Sequence, residues 1–316
     1  MLIRFRRLLA FALVLLMLCA CSAAEKPHSN TTGQHTITDS LGSTASLPDE
    51  PRIISLYGSF SQCWMLSGGT LCGITQDAVD DHGMVPGEDL ALVGTVKEPN
   101  LELVASLSPD YVLLSADLTQ HLALDAALSD MNIPHGYFRM DTFSDYSDMM
   151  ESFCTINDPN STRFAEYVEK PKENIEHIRI ETSEILSENP PDVLLLRAFS
   201  TGVKAKTNDN LAGIILDELG AHNIAYDAPS LLEEMSVEAI ISADPDYIFI
   251  STMGSAEAAK DYMLQNVENS PAWAELSAVK NGRYIFLPKE LFHLKPLNRW
   301  DESYAYLSNC LLEKTE

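Results

Sequence analysis

From residue 36 onward, short apolar runs alternate with stretches in which apolar residues recur every three or four positions. The runs at 52–56 (RIISL), 70–74, 91–93, 111–115 and 133–139 have strand length. Between and after them, the segment through Cys63-Trp64-Met65-Leu66 and those at 118–131 and 142–156 have helical spacing. A second series begins at 192. Strands at 192–197 and 283–287 are interleaved with helices at 211–219, 256–267 and 299–312. Such alternation predicts parallel sheets covered on both faces by helices. Ahead of the first series, 37–48 (ITDSLGSTASLP) reads as two short strands around a Leu41-Gly42 turn.

Residues 161–188 break the pattern. Phe164, Tyr167, Val168, Ile175, Ile178, Ile185 and Leu186 recur at helical spacing with charged residues between them. At about 1.5 Å per residue this is a helix of roughly 40 Å, longer than either series needs internally. Pro171 should kink it or divide it, and Asn189-Pro190-Pro191 ends it. The predicted class is α/β: two Rossmann-like lobes with mostly parallel sheets, at 36–158 and 190–316, joined by an interdomain helix at 159–189.

One stretch occurs twice. Residues 101–115 (LELVASLSPDYVLLS) and 237–251 (VEAIISADPDYIFIS) share Glu102/Glu238, Ser106/Ser242, Pro109/Pro245, Asp110/Asp246, Tyr111/Tyr247 and Ser115/Ser251. Each copy is an amphipathic helical turn with an early acid, a Pro-Asp turn and an apolar strand. A helix-to-strand unit in each half predicts two lobes on one plan, and paired lobes meet at a cleft that can hold a ligand.

The N-terminus sets the address. Arg4, Arg6 and Arg7 precede an apolar core at 8–18, then Leu18-Cys19-Ala20-Cys21. This is a secretory leader (1–20), too short in its core for a comfortable span. Its end resembles a bacterial lipobox, so Cys21 is expected to carry the lipid and begin the mature chain. Residues 21–35 lack apolar periodicity and read as a flexible tether. Removing three arginines and no acids takes the net charge from −25 to −28. That charge excludes nucleic acid and electrostatic adhesion to anionic lipid, leaving the lipid anchor as the membrane contact. Cys63, Cys72, Cys154 and Cys310 lack zinc or redox spacing. Cys63 and Cys72 could pair after export, though their apolar neighbours favour buried thiols. The eight histidines form no visible ligand set, and neither a bound metal nor a cofactor is expected.

The segments ITDSLGSTASLPDEPRIISLYGS, VGTVKEPNLELVASLSPDYVLLS, SVEAIISADPDYIFIST and YIFLPKELFHLKPLNRW resemble those of substrate-binding lipoproteins of ABC importers, in the group serving ferric siderophores, haem and cobalamin. The resemblance covers nearly the whole mature chain. It implies a monomeric, non-catalytic receptor on the outer face of the cytoplasmic membrane, with the two lobes bridged by one long helix. It also implies that Glu102 and Glu238 dock into a permease dimer, one acid per lobe, and that the cargo is an iron chelate. Pro171 departs from the family's proline-poor spine.

Open α/β sheets bind ligands beyond the carboxyl ends of their strands. The loops 57–61, 94–99, 115–118, 139–142, 197–206, 252–255 and 288–300 carry the candidates Tyr57, Arg139, Arg197, Lys204, Met253, Phe292, His293 and Arg299, with Lys97 nearby. Arg139, Arg197 and Lys204 would favour an anionic chelate or propionate. Tyr57, His293 or Met253 could meet haem iron. A corrinoid is the alternative cargo. The competing classes are an adhesin and an exported enzyme, the latter built from Ser115 or Ser200 with His121 or His293. No G-x-S-x-G, H-E-x-x-H, P-loop or dinucleotide fingerprint occurs.

Overall fold

The structure, a computed structural model, describes residues 35–228, 230–233 and 237–313. The expected leader, Cys21 and the expected tether through residue 34 lie outside the described residues. His35, read as the last tether residue, instead opens the first strand. Strands β1 (His35–Thr38) and β2 (Thr44–Leu47) form an antiparallel hairpin.

The first sheet is fully parallel, in the order β5-β4-β3-β6-β7. Its strands are β3 (Ile53–Ser55), β4 (Leu71–Ile74), β5 (Ala91–Leu92), β6 (Tyr111–Ser115) and β7 (His135–Phe138). Helices α1 (Gly58–Leu66), α2 (Gln76–Asp80), α3 (Leu101–Ser106), α4 (Thr119–Leu122), α5 (Asp125–Asp130) and α6 (Phe143–Asn157) connect them. The single helix expected over 118–131 is thus two short ones. α6 starts on a capping box between Thr142 and Asp145, which satisfies donors at its N-terminus reciprocally. The β1–β2 hairpin lies on α6, where Ser152 Oγ accepts from Thr38 N and donates to Thr38 O, both at 3.1 Å.

The segment expected to kink or divide at Pro171 stays helical throughout but changes its winding just ahead of the proline. A helical turn at Thr162–Phe164 leads into a π turn, Ala165–Glu169, and then α7 (Lys170–Leu186). Phe164, Glu169 and Lys170 all keep α-helical dihedrals. A proline has no N–H for the carbonyl four residues back, which here is Tyr167. The Tyr146 hydroxyl donates to that carbonyl at 3.0 Å. The π turn and Tyr146 together absorb the proline.

The second sheet holds β8 (Asp192–Phe199), β9 (Gly202–Lys206), β10 (His222–Asn223), β11 (Tyr247–Thr252) and β12 (Tyr284–Phe286). Its parallel order is β10-β8-β11-β12, with β9 antiparallel to β8. Around it lie α8 (Leu211–Glu218), α9 (Val237–Ala243), α10 (Ala256–Met263), α11 (Lys289–Phe292) and α12 (Trp300–Leu311). Residues 197–206, expected to be loop, are therefore mostly the β8–β9 hairpin. Val203 and Ala205 alternate with Lys204 and Lys206, a period-two pattern too short and too charged to stand out in sequence.

The repeat folds on the same plan in both lobes. Ser108 (φ 48°) and Asp244 (φ 42°) take the left-handed conformation that ends α3 and α9 ahead of each proline. Asp110 then accepts from Arg52 N at 2.8 Å, and Asp246 from Asp192 N at 3.0 Å. Each aspartate thereby satisfies the backbone amide at the entry to the neighbouring central strand. The shared Pro-Asp is a device for starting a strand pair.

One apolar core runs through both lobes and the spine, including Trp64, Phe153, Val168, Ile175, Trp300 and Leu307. Trp300 of α12 meets Phe143 of α6 edge-on and Tyr146 at a tilt, with ring centroids 6.0 and 6.3 Å apart. The Thr182 and Ser308 hydroxyls, 2.7 Å apart and buried, tie α7 to α12. Among the described residues no helix is long and apolar enough to cross a membrane.

Candidate ligand-binding cleft

The carboxyl ends of β3 and β4 face those of β8 and β11 across a cavity of about 390 Å³, lined by both lobes. On the first wall, Tyr57 leaves β3 in extended conformation and precedes α1. Its carbonyl accepts from the Ser55 and Ser61 hydroxyls at 2.9 and 3.2 Å, which fixes the turn. Asp77, in the first turn of α2, accepts from Gly58 N at 2.7 Å and pins this loop from the other side. Gly58 is required there, because a Cβ would lie 2.8 Å from Ala78 N and 2.9 Å from the His82 ring. Burial, then the charges of Asp77, Asp141, Asp117 and Asp81, push the Tyr57 phenol up to about 12. It is a neutral hydroxyl in a negative field.

His121 supports the same wall from beneath. It is fully buried, its Nδ1 accepts from Ser115 N at 2.9 Å, and its Nε2 lies 2.8 Å from the Val96 carbonyl. The first contact leaves the proton on Nε2, which donates to Val96, a cavity residue. The Ser115 hydroxyl meanwhile accepts from Asp117 N at 3.2 Å. Ser115 and His121 are joined through backbone and not as a hydroxyl and its base. Burial lowers the His121 pKa.

The second wall carries Arg197 near the end of β8, Met253 beyond β11, and Phe292 and His293 at the end of α11. Arg197 is half-buried, and burial lowers its pKa. Among the described residues its guanidinium has no hydrogen-bond or ion-pair partner. His293 is also held low, by burial first and then by Lys289. Two ion pairs cross between the lobes at the cavity rim: Lys289 to Asp81 at 3.4 Å and Lys295 to Asp141 at 2.6 Å.

Tyr57, Arg197, Met253, Phe292 and His293 therefore converge on one cavity. Arg139, Lys204 and Arg299 do not line it, against expectation. Arg139 is turned to Asp117 at 3.1 Å, and Arg299 to Glu302 at 2.7 Å. Lys204 sits exposed on β9 because the segment is strand and not loop. The loop rule also passed over Asp77, Asp81 and His82, which follow β4; applying it to that strand end would have found them. Asp141 and Lys295 lie within the expected loops and line the cavity too, although neither is among the candidates. Glu102 and Glu238 occupy equivalent, exposed positions in the first turns of α3 and α9. Cys63 and Cys72 are buried free thiols. Among the described residues no cluster of three or more histidine, cysteine or acidic side chains could hold a metal ion.

Known proteins share this architecture. Among curated relatives, YhfQ of Bacillus subtilis, named for ABC transporter substrate-binding lipoproteins, is 23% identical over 312 residues, covering 91% of each chain. The Fe(3+)-citrate-binding protein YfmC of the same organism is 27% identical over 293 residues, covering 88% of each. Among solved structures, the TroA-like periplasmic binding protein FepB of Veillonella parvula superposes with a TM-score of 0.69 at 17% identity, over 89% of this chain and 90% of its own. At that identity the likeness establishes the two-lobed fold alone. The family model described as periplasmic binding protein matches residues 70–291, well over half of the sequence and both walls of the cleft except Tyr57, Ser59 and residues 292–295, and the chain belongs to that family.

Proposed function

We propose that this protein is the extracytoplasmic receptor of an ABC importer, holding an iron chelate, a ferric siderophore or haem, between its lobes. One observation carries the reading. A cavity shared by two lobes of one plan presents an unpartnered guanidinium, Arg197, beside Tyr57, Phe292 and His293. A desolvated cation without a partner is costly unless a ligand supplies the anion. Similarity along nearly the whole chain to a relative named for Fe(3+)-citrate favours iron over a corrinoid.

Delivery would run through Glu102 and Glu238, which offer one exposed acid per lobe to a permease dimer. Paired charges of this kind set orientation and encounter rate more than affinity. Lipidation at Cys21 would hold a monomer at the membrane, and turnover of the cargo forms no part of the role.

The test is a titration of the soluble mature chain with ferric citrate, hydroxamate and catecholate ferric siderophores, haemin and cobalamin, read by quenching of Trp64, Trp273 and Trp300. Saturable one-to-one binding of an iron complex is expected. Binding of cobalamin alone would transfer the receptor to corrinoids. Chemical turnover of a chelate would replace it with an enzyme.

A further inference from the structure

Charges around the cleft pair off with two exceptions. Four aspartates line the cavity: Asp77, Asp81, Asp141 and Asp209. Asp81 is matched by Lys289, Asp141 by Lys295, and Asp209 by Lys206. Asp77 faces no cation among the described residues. Its Oδ2 takes the Gly58 amide, while its Oδ1 is buried with no hydrogen-bond partner. Arg197 is the converse, a half-buried cation with no acid in hydrogen-bond or ion-pair contact; the charge that acts on it is that of Asp209, which Lys206 already engages. The two unmatched charges have opposite sign and stand on opposite walls.

A polyanionic chelate could satisfy Arg197. It would also bring its remaining charges against Asp77 in a site already lined by Asp81, Asp141 and Asp209. Charges taken out of water need a partner on each side. A ligand of mixed charge answers both walls at once and leaves the three existing ion pairs intact.

We propose that the cleft is built for a ferric chelate whose periphery carries both an oxyanion and a protonated amine, the oxyanion set against Arg197 and the amine against Asp77. The amino-acid end of a chelating molecule is the simplest group with that pattern. This proposal rests on the receptor reading and narrows it from iron chelates in general to zwitterionic ones.

The probe series is one ferric trihydroxamate made in three forms: with a free α-amino-acid end, with that amine acetylated, and with that carboxylate amidated. The full mature chain is titrated with each by tryptophan quenching. The unmodified form should bind at least tenfold more tightly than either blocked form. Asp77→Asn keeps an acceptor for Gly58 N and should erase the discrimination against the acetylated form alone. Arg197→Gln should erase the discrimination against the amidated form alone. Each variant is read as a ratio of affinities, so a reduced folded fraction cancels. Equal affinity for the three forms, or tightest binding of ferric citrate or haemin with none of the series, overturns the proposal and leaves the receptor standing. No binding of any iron complex overturns the receptor reading, and this proposal with it.

Discussion

The two lobes share a backbone and oppose each other in charge. Both end a short helix on a left-handed residue, pass through Pro-Asp, and use that aspartate to satisfy the entry of a neighbouring strand. Yet the first lobe lines its side of the cleft with Asp77, Asp81 and Asp141, and the second answers with Arg197 and Lys295, its one lining acid, Asp209, being engaged by Lys206. The repeat preserves what folding requires of the strand pair. The loops beyond the strands, which carry no such duty, have diverged into complementary walls. Scaffold and chemistry are separable in this molecule because they lie at opposite ends of the same strands.

If the lobes are equivalent toward the transporter, reversing both Glu102→Arg and Glu238→Arg should abolish uptake in cells while leaving ligand affinity unchanged. The single reversals should be alike; transport surviving the double variant would remove the docking role. Equivalence of the scaffold is a smaller effect. Asp110→Ala and Asp246→Ala each lose one hydrogen bond to a strand-entry amide, worth about 0.5–1 kcal/mol at these partly exposed sites. Chemical denaturation should give the same loss in both lobes, and a cost confined to one would show that the copies have parted in energetics as well as in chemistry.

The smallest effect separates the lobes by pH. Burial lowers the pKa of His121 in the first lobe, so the unfolded chain takes up its proton first as the solution is acidified. Its contribution is lost as the pH falls below 6.5 toward the folded value. His222 in the second lobe is the reverse. Its bond to Asp192 at 2.7 Å, against a modest desolvation and with help from Asp227 at 3.0 Å, raises its pKa. That contribution is complete below 6.5 and disappears as the pH rises through the folded value. Because His222 is about half exposed, solvent screens it to a few tenths of a kcal/mol. The unfolding midpoints of wild type and His222→Gln should differ most below pH 6.5 and converge as the pH rises above it. A gap that widens with rising pH would reverse the assignment.

How much could be read in advance follows the same division. β6 and β11 were legible because five- and six-residue apolar runs follow an unmistakable turn. The short run at 91–93 also holds as β5, whereas β10, with two residues and no apolar run, is too short to show any periodicity. Tyr57, Arg197, Met253, Phe292 and His293 could be found because a strand end points to a cleft whatever its side chains. Arg139 misled because only the folded chain brings Asp117 beside it, and Arg299 because Glu302, three residues on in the first turn of α12, takes up its charge. The acidic character of the first wall was hidden for a different reason. In a chain with 46 acidic residues, Asp77 and Asp81 look like ordinary surface until the neighbouring strands bring them round the cavity.

The π turn ahead of Pro171 has a consequence for inheritance. It is one residue of surplus in the spine, and deleting a residue there would restore an ordinary α-helical register with the proline caught inside it. The Tyr167 carbonyl would still depend on the Tyr146 hydroxyl, which reaches it from another helix. Tyr146, Pro171 and the extra residue thus form a single heritable trait spread over two helices. A lineage that drops the proline is free to lose the tyrosine's hydroxyl and shorten the spine, whereas one that keeps it must carry all three together.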